Sequence, residues 1–243
     1  MRVVGIIQAR LGSTRLPRKV LHDVEGKMVL DRVVERAARA VTLDDLCVAV
    51  PDAESDDELH ALCEARGWMC SRGSEHDVLD RYYRAALEIS ADVVVRMTAD
   101  CPLLDPEVID RVVRAFLEDR PDYASNTLER TYPRGLDTEV MSLGALERSW
   151  QEATAPYQRA HVTPYILEHA ESFHLVSVVG PTDHSRHRWV VDVPEDLEFV
   201  RSVYAHFEGR DGFSSADVLE ILDRNPSLAA INWAVCQKPV REG

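Results

Sequence analysis

Apolar positions along this chain follow two periods, and the order of the periods predicts the elements. Residues 3–8 (VVGIIQ) form a near-continuous apolar run rich in β-branched side chains, the pattern of a strand buried on both faces. Residues 46–50 form a second short run, stopped by Pro51, and residues 91–97 (ADVVVRM) a third. Between them, apolar residues recur at helical spacing over 29–40, 55–66, 77–89 and 106–117. Ser55 stands where an N-cap belongs, Gly67 lies just past the end of its helix, and Pro106 sits in a first turn. Strand and helix alternate, which predicts a mostly parallel sheet covered by helices.

The second half is less regular. Strands are expected at 139–141, 173–179 and 188–193, and helices at 144–153, 159–169, 194–207 and 214–222. No repeat, low-complexity tract or long linker interrupts the chain. A single domain over 1–243 is the economical reading, with the motifs described below inside 2–207 and a helical tail over 208–243.

Composition narrows the class. Of 243 residues, 45% are hydrophobic and 29% charged, which is ordinary for a globular protein. No apolar run is long enough to cross a bilayer, and the first residues turn polar too soon for a secretory signal, so no membrane partner and a cytoplasmic location are expected. Cys47, Cys63, Cys70, Cys101 and Cys236 are scattered and odd in number, which favours reduced thiols over a disulfide framework or zinc site. The net charge of −14 argues against a nucleic-acid partner. Yet no acid precedes Asp23, while Arg2, Arg10, Arg15, Arg18 and Lys19 do. A basic start on an acidic protein suits capture of a small polyanion.

The loop after the first strand, ARLGSTRLPRK from Ala9 to Lys19, carries the most information. In open α/β sheets ligands bind beyond the carboxyl ends of the strands, where this loop begins. Gly12 permits close backbone approach, and Ser13 and Thr14 offer hydroxyls and amides. Arg10 and Arg15 can each hold two phosphate oxygens, and Lys19 acts as a point charge. The loop is neither a G-x-x-x-x-G-K-[ST] cradle nor G-x-G-x-x-G, so a solvated basic loop stands as the alternative.

The stretch IIQARLGSTRLPRKVL resembles the opening signature of the cytidylyltransferases that activate 3-deoxy-manno-octulosonate and acylneuraminate, and most of all the branch of the spore coat polysaccharide biosynthesis protein F type. Arg10, Gly12, Ser13, Arg15, Pro17 and Lys19 all fall at the family's spacing. The resemblance implies that the loop wraps the triphosphate of CTP.

Two aspartates end apolar runs. Asp100 lies in RMTADCPLLDP, behind a strand and before a Pro-containing turn, where a carboxylate can face a metal; Asp105 is better placed to cap the helix that follows. Asp192 lies in VVDVPEDL, where Glu195 and Asp196 fall in the first helical turn and read as structural. Both phrases resemble the family's metal-binding elements, which implies Mg2+ held by Asp100 and Asp192.

Three further phrases resemble the same branch. RGSEHDVLDRY, with Arg72, Ser74 and Asp77, lies where relatives hold the nucleobase, although Ser74 and Asp77 could equally cap the next helix. The loop running from Ser125-Asn126-Thr127 to YPRGLDTE is assigned to the acceptor, with Asn126, Arg134 and Asp137 as candidates and Glu139 starting a strand. YQRAHVTPY contributes His161 as a candidate contact to the acceptor, with a hydrogen-bonded structural role at least an equal alternative. Arg188 is a further acceptor or phosphate candidate. His184 and His187 alone make a poor metal site, and Cys101 reads as a small packing residue rather than a nucleophile.

The resemblance spans most of 2–207. It implies a nucleotide-diphospho-sugar transferase type α/β fold, a three-layer sandwich with a mixed, mainly parallel sheet and helices on both faces. It implies transfer of CMP from CTP to a small acceptor such as a sugar acid, sugar, phosphonate or phosphate, with pyrophosphate released. Arg10, Arg15, Lys19 and Asp100 are the expected catalytic residues. Related enzymes are often dimers. Two alternatives stay open: a glycosyltransferase of the same fold, which lacks its usual D-x-D pair here, and a noncatalytic nucleotide-binding protein.

Overall fold

The fold comes from a computed structural model that describes residues 1–238. In chain order the strands are β1 (Val3–Gln8), β2 (Asp23–Val24), β3 (Lys27–Met28), β4 (Asp45–Pro51), β5 (Met69–Gly73), β6 (Val93–Thr98), β7 (Tyr123–Ser125), β8 (Glu139–Ser142) and β9 (Leu175–Ser177). The α-helices are α1 (Val29–Ala37), α2 (Asp57–Arg66), α3 (Val78–Glu88), α4 (Pro106–Asp119), α5 (Leu143–Glu152), α6 (Pro156–His161), α7 (Pro164–Glu168), α8 (Pro194–His206), α9 (Ser215–Arg224) and α10 (Pro226–Ala230).

The main sheet has the order β5-β4-β1-β6-β8-β7-β9, and β8 alone runs antiparallel to its neighbours. The mostly parallel sheet expected from the strand–helix alternation is therefore present, and it is mixed, as the family resemblance implied. The apolar run of β1 reflects its central place: Val3 and Ile7 pack on one face, Val4 and Ile6 on the other. On the first face lie Leu30, Val33, Leu59, Ile109 and Val113 of α1, α2 and α4. On the second lie Leu79, Tyr82, Ala86 and Leu146 of α3 and α5. A third cluster joins α8 and α9 to Leu16, Val24 and Trp189. Among the described residues no helix is long and apolar enough to cross a membrane.

Several expected elements differ. Residues 188–193 are not a strand. Arg188 makes one bridge, to Arg134, and the apolar residues behind it pack into the third cluster instead of a ladder. The helix expected at 159–169 is two short ones, because Val162 takes φ 74° and Pro164 has no N–H to continue the first. The strand expected at 173–179 shrinks to three residues. Ser55 does not cap α2; it lies in a 3₁₀ turn, Glu54–Asp56, and its hydroxyl donates to Asp56. Gly67 does end α2, with φ 68°. The hairpin β2–β3, the strands β5 and β7, and α10 had no counterpart in the apolar pattern. Of the helical tail expected over 208–243, only α9 and α10 are helical; 208–214 and 231–238 are turns and irregular chain, and residues 239–243 lie outside the described residues.

Candidate active site

Beyond the carboxyl end of β1 the chain forms an anchored loop. Leu11, Leu16 and Val20 are buried, and the buried Asp56 accepts the Leu11 N–H at 2.7 Å. The apolar residues fix the loop and leave its polar ones to a cleft of about 390 Å³. A Cβ added at Gly12 would meet no atom within 4 Å, so internal packing does not demand glycine there, and its backbone lies bare. Arg18 takes φ 57° just before a 3₁₀ turn that starts at Lys19 and turns its side chain inward.

Lys19 is the centre of the site. Its ammonium donates to Asp100 Oδ2 at 2.5 Å and to Asp192 Oδ1 at 2.8 Å. The two aspartates, distant in sequence, meet because the Val191 N–H donates to the Asp100 carbonyl at 2.8 Å. The Thr98 hydroxyl holds Asp100 Oδ1 at 2.6 Å. Arg15 lies 3.1 Å from Asp192, and Arg188 donates to it at 2.7 Å. Burial opposes charge on all three central groups, but their mutual attraction wins. Asp192 is pulled down to about 2 by Lys19, Arg188 and Arg15 against its burial. Asp100 is also lowered and Lys19 raised, each against burial and each by the other, so the triad is fully charged at neutral pH.

A supporting layer lies behind Asp192. Asp196 accepts the N–H of Asp192 at 3.0 Å and the Arg188 Nε at 2.9 Å, and the buried Asn232 donates to Asp196 at 2.9 Å and to the Arg188 carbonyl at 2.9 Å. Sequence reasoning found nothing diagnostic in the tail, but the tail supplies Asn232. Arg188, expected to meet acceptor or phosphate, is committed to two carboxylates instead.

Ala9, Arg10, Gly12, Ser13, Thr14, Arg15, Lys19, Asp100, Asp192 and His161 all line the cleft, so one site gathers them. Arg72, Ser74 and Asp77 do not line it. Arg72 donates to the Pro51 and Ala53 carbonyls and pairs with Asp57. The Ser74 hydroxyl accepts from the Asp77 N–H, and Asp77 caps α3 and pairs with Arg159, so the capping alternative is the one realised. At that end of the cleft stand Glu75, His76 and Arg81, which sequence reasoning missed. Arg81 is 1% exposed and gives Nη1 to the Ser74 carbonyl, while its Nε has no hydrogen-bond partner among the described residues. A charged residue on the buried stripe with Val78, Tyr82 and Ala85 was the available signal.

The acceptor loop is divided. Asn126 spends its amide on the loop itself, donating to the Leu136 carbonyl at 2.8 Å and accepting the Thr138 N–H at 2.9 Å. Asp137 holds a two-pronged pair with Arg130 at 2.6 and 2.9 Å. Arg134 has no side-chain hydrogen bond or ion pair among the described residues. Its bridge to Arg188 turns both side chains to one side of the backbone. Burial lowers its pKa, and nearby Arg130 adds to this. Gly135 holds the loop in place: with φ 109°, an added Cβ would lie 2.6 Å from the Trp189 carbonyl carbon. Cys101 is no nucleophile, because burial and Asp100 push its thiol well above the usual range.

A mainly parallel α/β sheet with a basic loop beyond the carboxyl end of β1 and two carboxylates gathered in the same cleft is the frame of a nucleotide-binding protein. Residues 4–213 match the family described as Cytidylyltransferase, and the chain belongs to that family and is a nucleotidyltransferase. It is 38% identical to an uncharacterized protein of Methanocaldococcus jannaschii over all of this chain and 99% of that one. It is 33% identical to the spore coat polysaccharide biosynthesis protein SpsF of Bacillus subtilis over 93% of this chain and 96% of that one. A solved cytidylyltransferase from Leptospira borgpetersenii superposes with TM-score 0.91 at 32% identity, covering 98% of this chain and 100% of the other. Membership decides against the glycosyltransferase and the noncatalytic alternatives.

Proposed function

We propose that this enzyme transfers CMP from CTP to an oxygen of a small anionic acceptor and releases pyrophosphate. The observation that carries the reading is the Lys19–Asp100–Asp192 triad beneath the loop of Arg10, Ser13 and Arg15 in one cleft. The acceptor oxygen bonds to the α-phosphorus as the bond to the bridging oxygen breaks, and pyrophosphate leaves with the electron pair. Such chemistry rests on positioning and charge neutralisation. Arg10, Arg15 and Lys19 bind the triphosphate and offset charge on the leaving group.

The donor set suits Mg2+. Two hard carboxylates converge on one cation position, and magnesium characteristically takes one or two carboxylates and completes its shell with water and phosphate. Asp100 and Asp192 would hold the ion, which when bound neutralises phosphate charge and polarises the α-phosphate. Arg134, without an ion pair among the described residues, supports an anionic acceptor, because a guanidinium fork matches a carboxylate or phosphate. A solved CMP:2-keto-3-deoxy-manno-octonic acid synthetase complexed with CTP shares the fold at TM-score 0.65 and 21% identity. With the name of the Bacillus relative, this supports an activated sugar-type product used in polysaccharide assembly. We assign one catalytic domain, a cytoplasmic location and a homodimer to the same reading.

The test is pyrophosphate release from CTP against a panel of sugar acids, neutral sugars, phosphonates and phosphates. Release should depend on the acceptor, stop with EDTA and return with Mg2+. Turnover of a nucleotide sugar with no pyrophosphate from CTP would overturn the reading.

A further inference from the structure

Lys19 holds the very position that a divalent ion between Asp100 and Asp192 would take. Its ammonium lies 2.5 Å from one carboxylate and 2.8 Å from the other. Magnesium binds carboxylate oxygen at about 2.0–2.1 Å. An ion seated on the same two oxygens would therefore collide with the ammonium, and two cations cannot share the position.

The surroundings make the exchange local. Asp192 keeps Arg15 and Arg188 when Lys19 leaves, and its backbone stays tied to Asp196. Asp100 keeps the Thr98 hydroxyl. The Lys19 backbone is fixed by its turn, with Leu21 N–H to the Arg18 carbonyl at 2.9 Å, so the motion needed is rotation of a four-carbon stem. Lys19 is mostly buried, and an ammonium moved off both carboxylates needs another anion within the cleft. Among the cleft-lining groups beside it are the cations Arg10 and Arg15 and the Ser13 hydroxyl, which suit a triphosphate.

We propose that Lys19 is a placeholder cation: it closes the Asp100–Asp192 seat to divalent ions until a triphosphate draws its ammonium away, so that metal enters with the nucleotide and not before it. The inference rests on the cytidylyltransferase reading of the site. The mechanism is an exchange of ligands, in which Lys19 gives up two carboxylates for phosphate and the divalent ion takes the carboxylates.

The test uses Mn2+ alone and the full chain without nucleotide, with free Mn2+ read by electron paramagnetic resonance. The parent should bind Mn2+ weakly. Lys19→Met should bind it on the order of tenfold or more tightly, because a competing positive charge is gone. Lys19→Arg, which keeps a cation, should stay near the parent, and adding Asp100→Asn to Lys19→Met should remove the gain. If the methionine variant does not fold, Lys19→Gln, which also removes the charge, takes its place and should show the same gain. Equal binding by the parent and the uncharged variant, or a gain that survives Asp100→Asn, overturns the inference. Pyrophosphate release separates the two claims. Turnover of CTP without the Mn2+ gain removes only the placeholder role, and the gain without turnover removes only the assigned reaction.

Discussion

Single side chains carry the chemistry here through what they are paired with. Asp100 is held by Thr98 and Lys19 rather than by the core, so Asp100→Asn should keep the fold. Its turnover should fall on the order of 100-fold or more, as loss of a preorganised electrostatic contact does. Steady-state pyrophosphate release together with a melting curve checks both parts. Arg134 differs from its neighbour Arg130, which is spent on Asp137. Arg134→Lys keeps the charge but loses the fork. The acceptor's KM should rise about tenfold while the KM for CTP stays within about twofold, the cost of one charge-assisted bond. An equal change for both substrates would place Arg134 elsewhere. That Arg130 is paired while Arg134 has no ion pair among the described residues could not be read from the phrase containing both, because pairing depends on which way the loop turns.

Elements hold these residues through a few buried polar ties. Asp31 in the first turn of α1 accepts the Met28 N–H at 3.0 Å and pairs with Arg66 of α2 at 2.8 Å. Burial raises its pKa, but Arg66 and the Met28 N–H outweigh that and bring it below 3.8. A depressed carboxylate contributes stability above its unfolded pKa and loses it as pH falls through the folded one. Asp31→Asn should therefore cost about 1 kcal/mol at pH 7, discounted because Arg66 is 44% exposed. The deficit should shrink as pH drops below 3.8. Urea midpoints of both proteins across that range measure it, and a deficit that stays constant down to about pH 3 rejects the assignment. The long, periodic elements were legible in the sequence: β1, α3 and α4 fall where the apolar pattern puts them. Short ones were not. β7 has three residues and gains its place by pairing with β8 and β9, which local pattern does not encode. Residues 188–193 have the composition of a strand but spend it on packing around Trp189.

At the scale of the molecule, the far end of the chain closes behind the site. Arg32 and Arg36 of α1, both fully buried, bond the carbonyls of Gly209, Asp211 and Phe213 and bring the tail back. The tail then places Asn232 against Asp196 and Arg188. Asn232→Ala removes two buried hydrogen bonds and should cost about 1–3 kcal/mol. It should also lower kcat several-fold without raising the KM for CTP to the same degree, because Asp192 loses part of its support. Unchanged turnover in a destabilised variant would make Asn232 a structural tie only.

The sequence by itself determined the kinds of chemistry available: a basic loop after the first buried strand, two aspartates at the ends of apolar runs, and an acidic chain around them. These are local facts, set by side-chain type and period. Tertiary structure decided which of them meet. Val191 pairs with the Asp100 carbonyl and so brings Asp192 beside Asp100, and Lys19 then draws the two carboxylates onto one point. It also withdrew Arg188, Asn126 and Asp77 from the cleft by giving them partners, and it left the buried Arg81 and the half-buried Arg134 without an ion pair among the described residues. The physical reason is that a polar side chain's role depends on its partners once water is removed, and those partners come from distant parts of the chain.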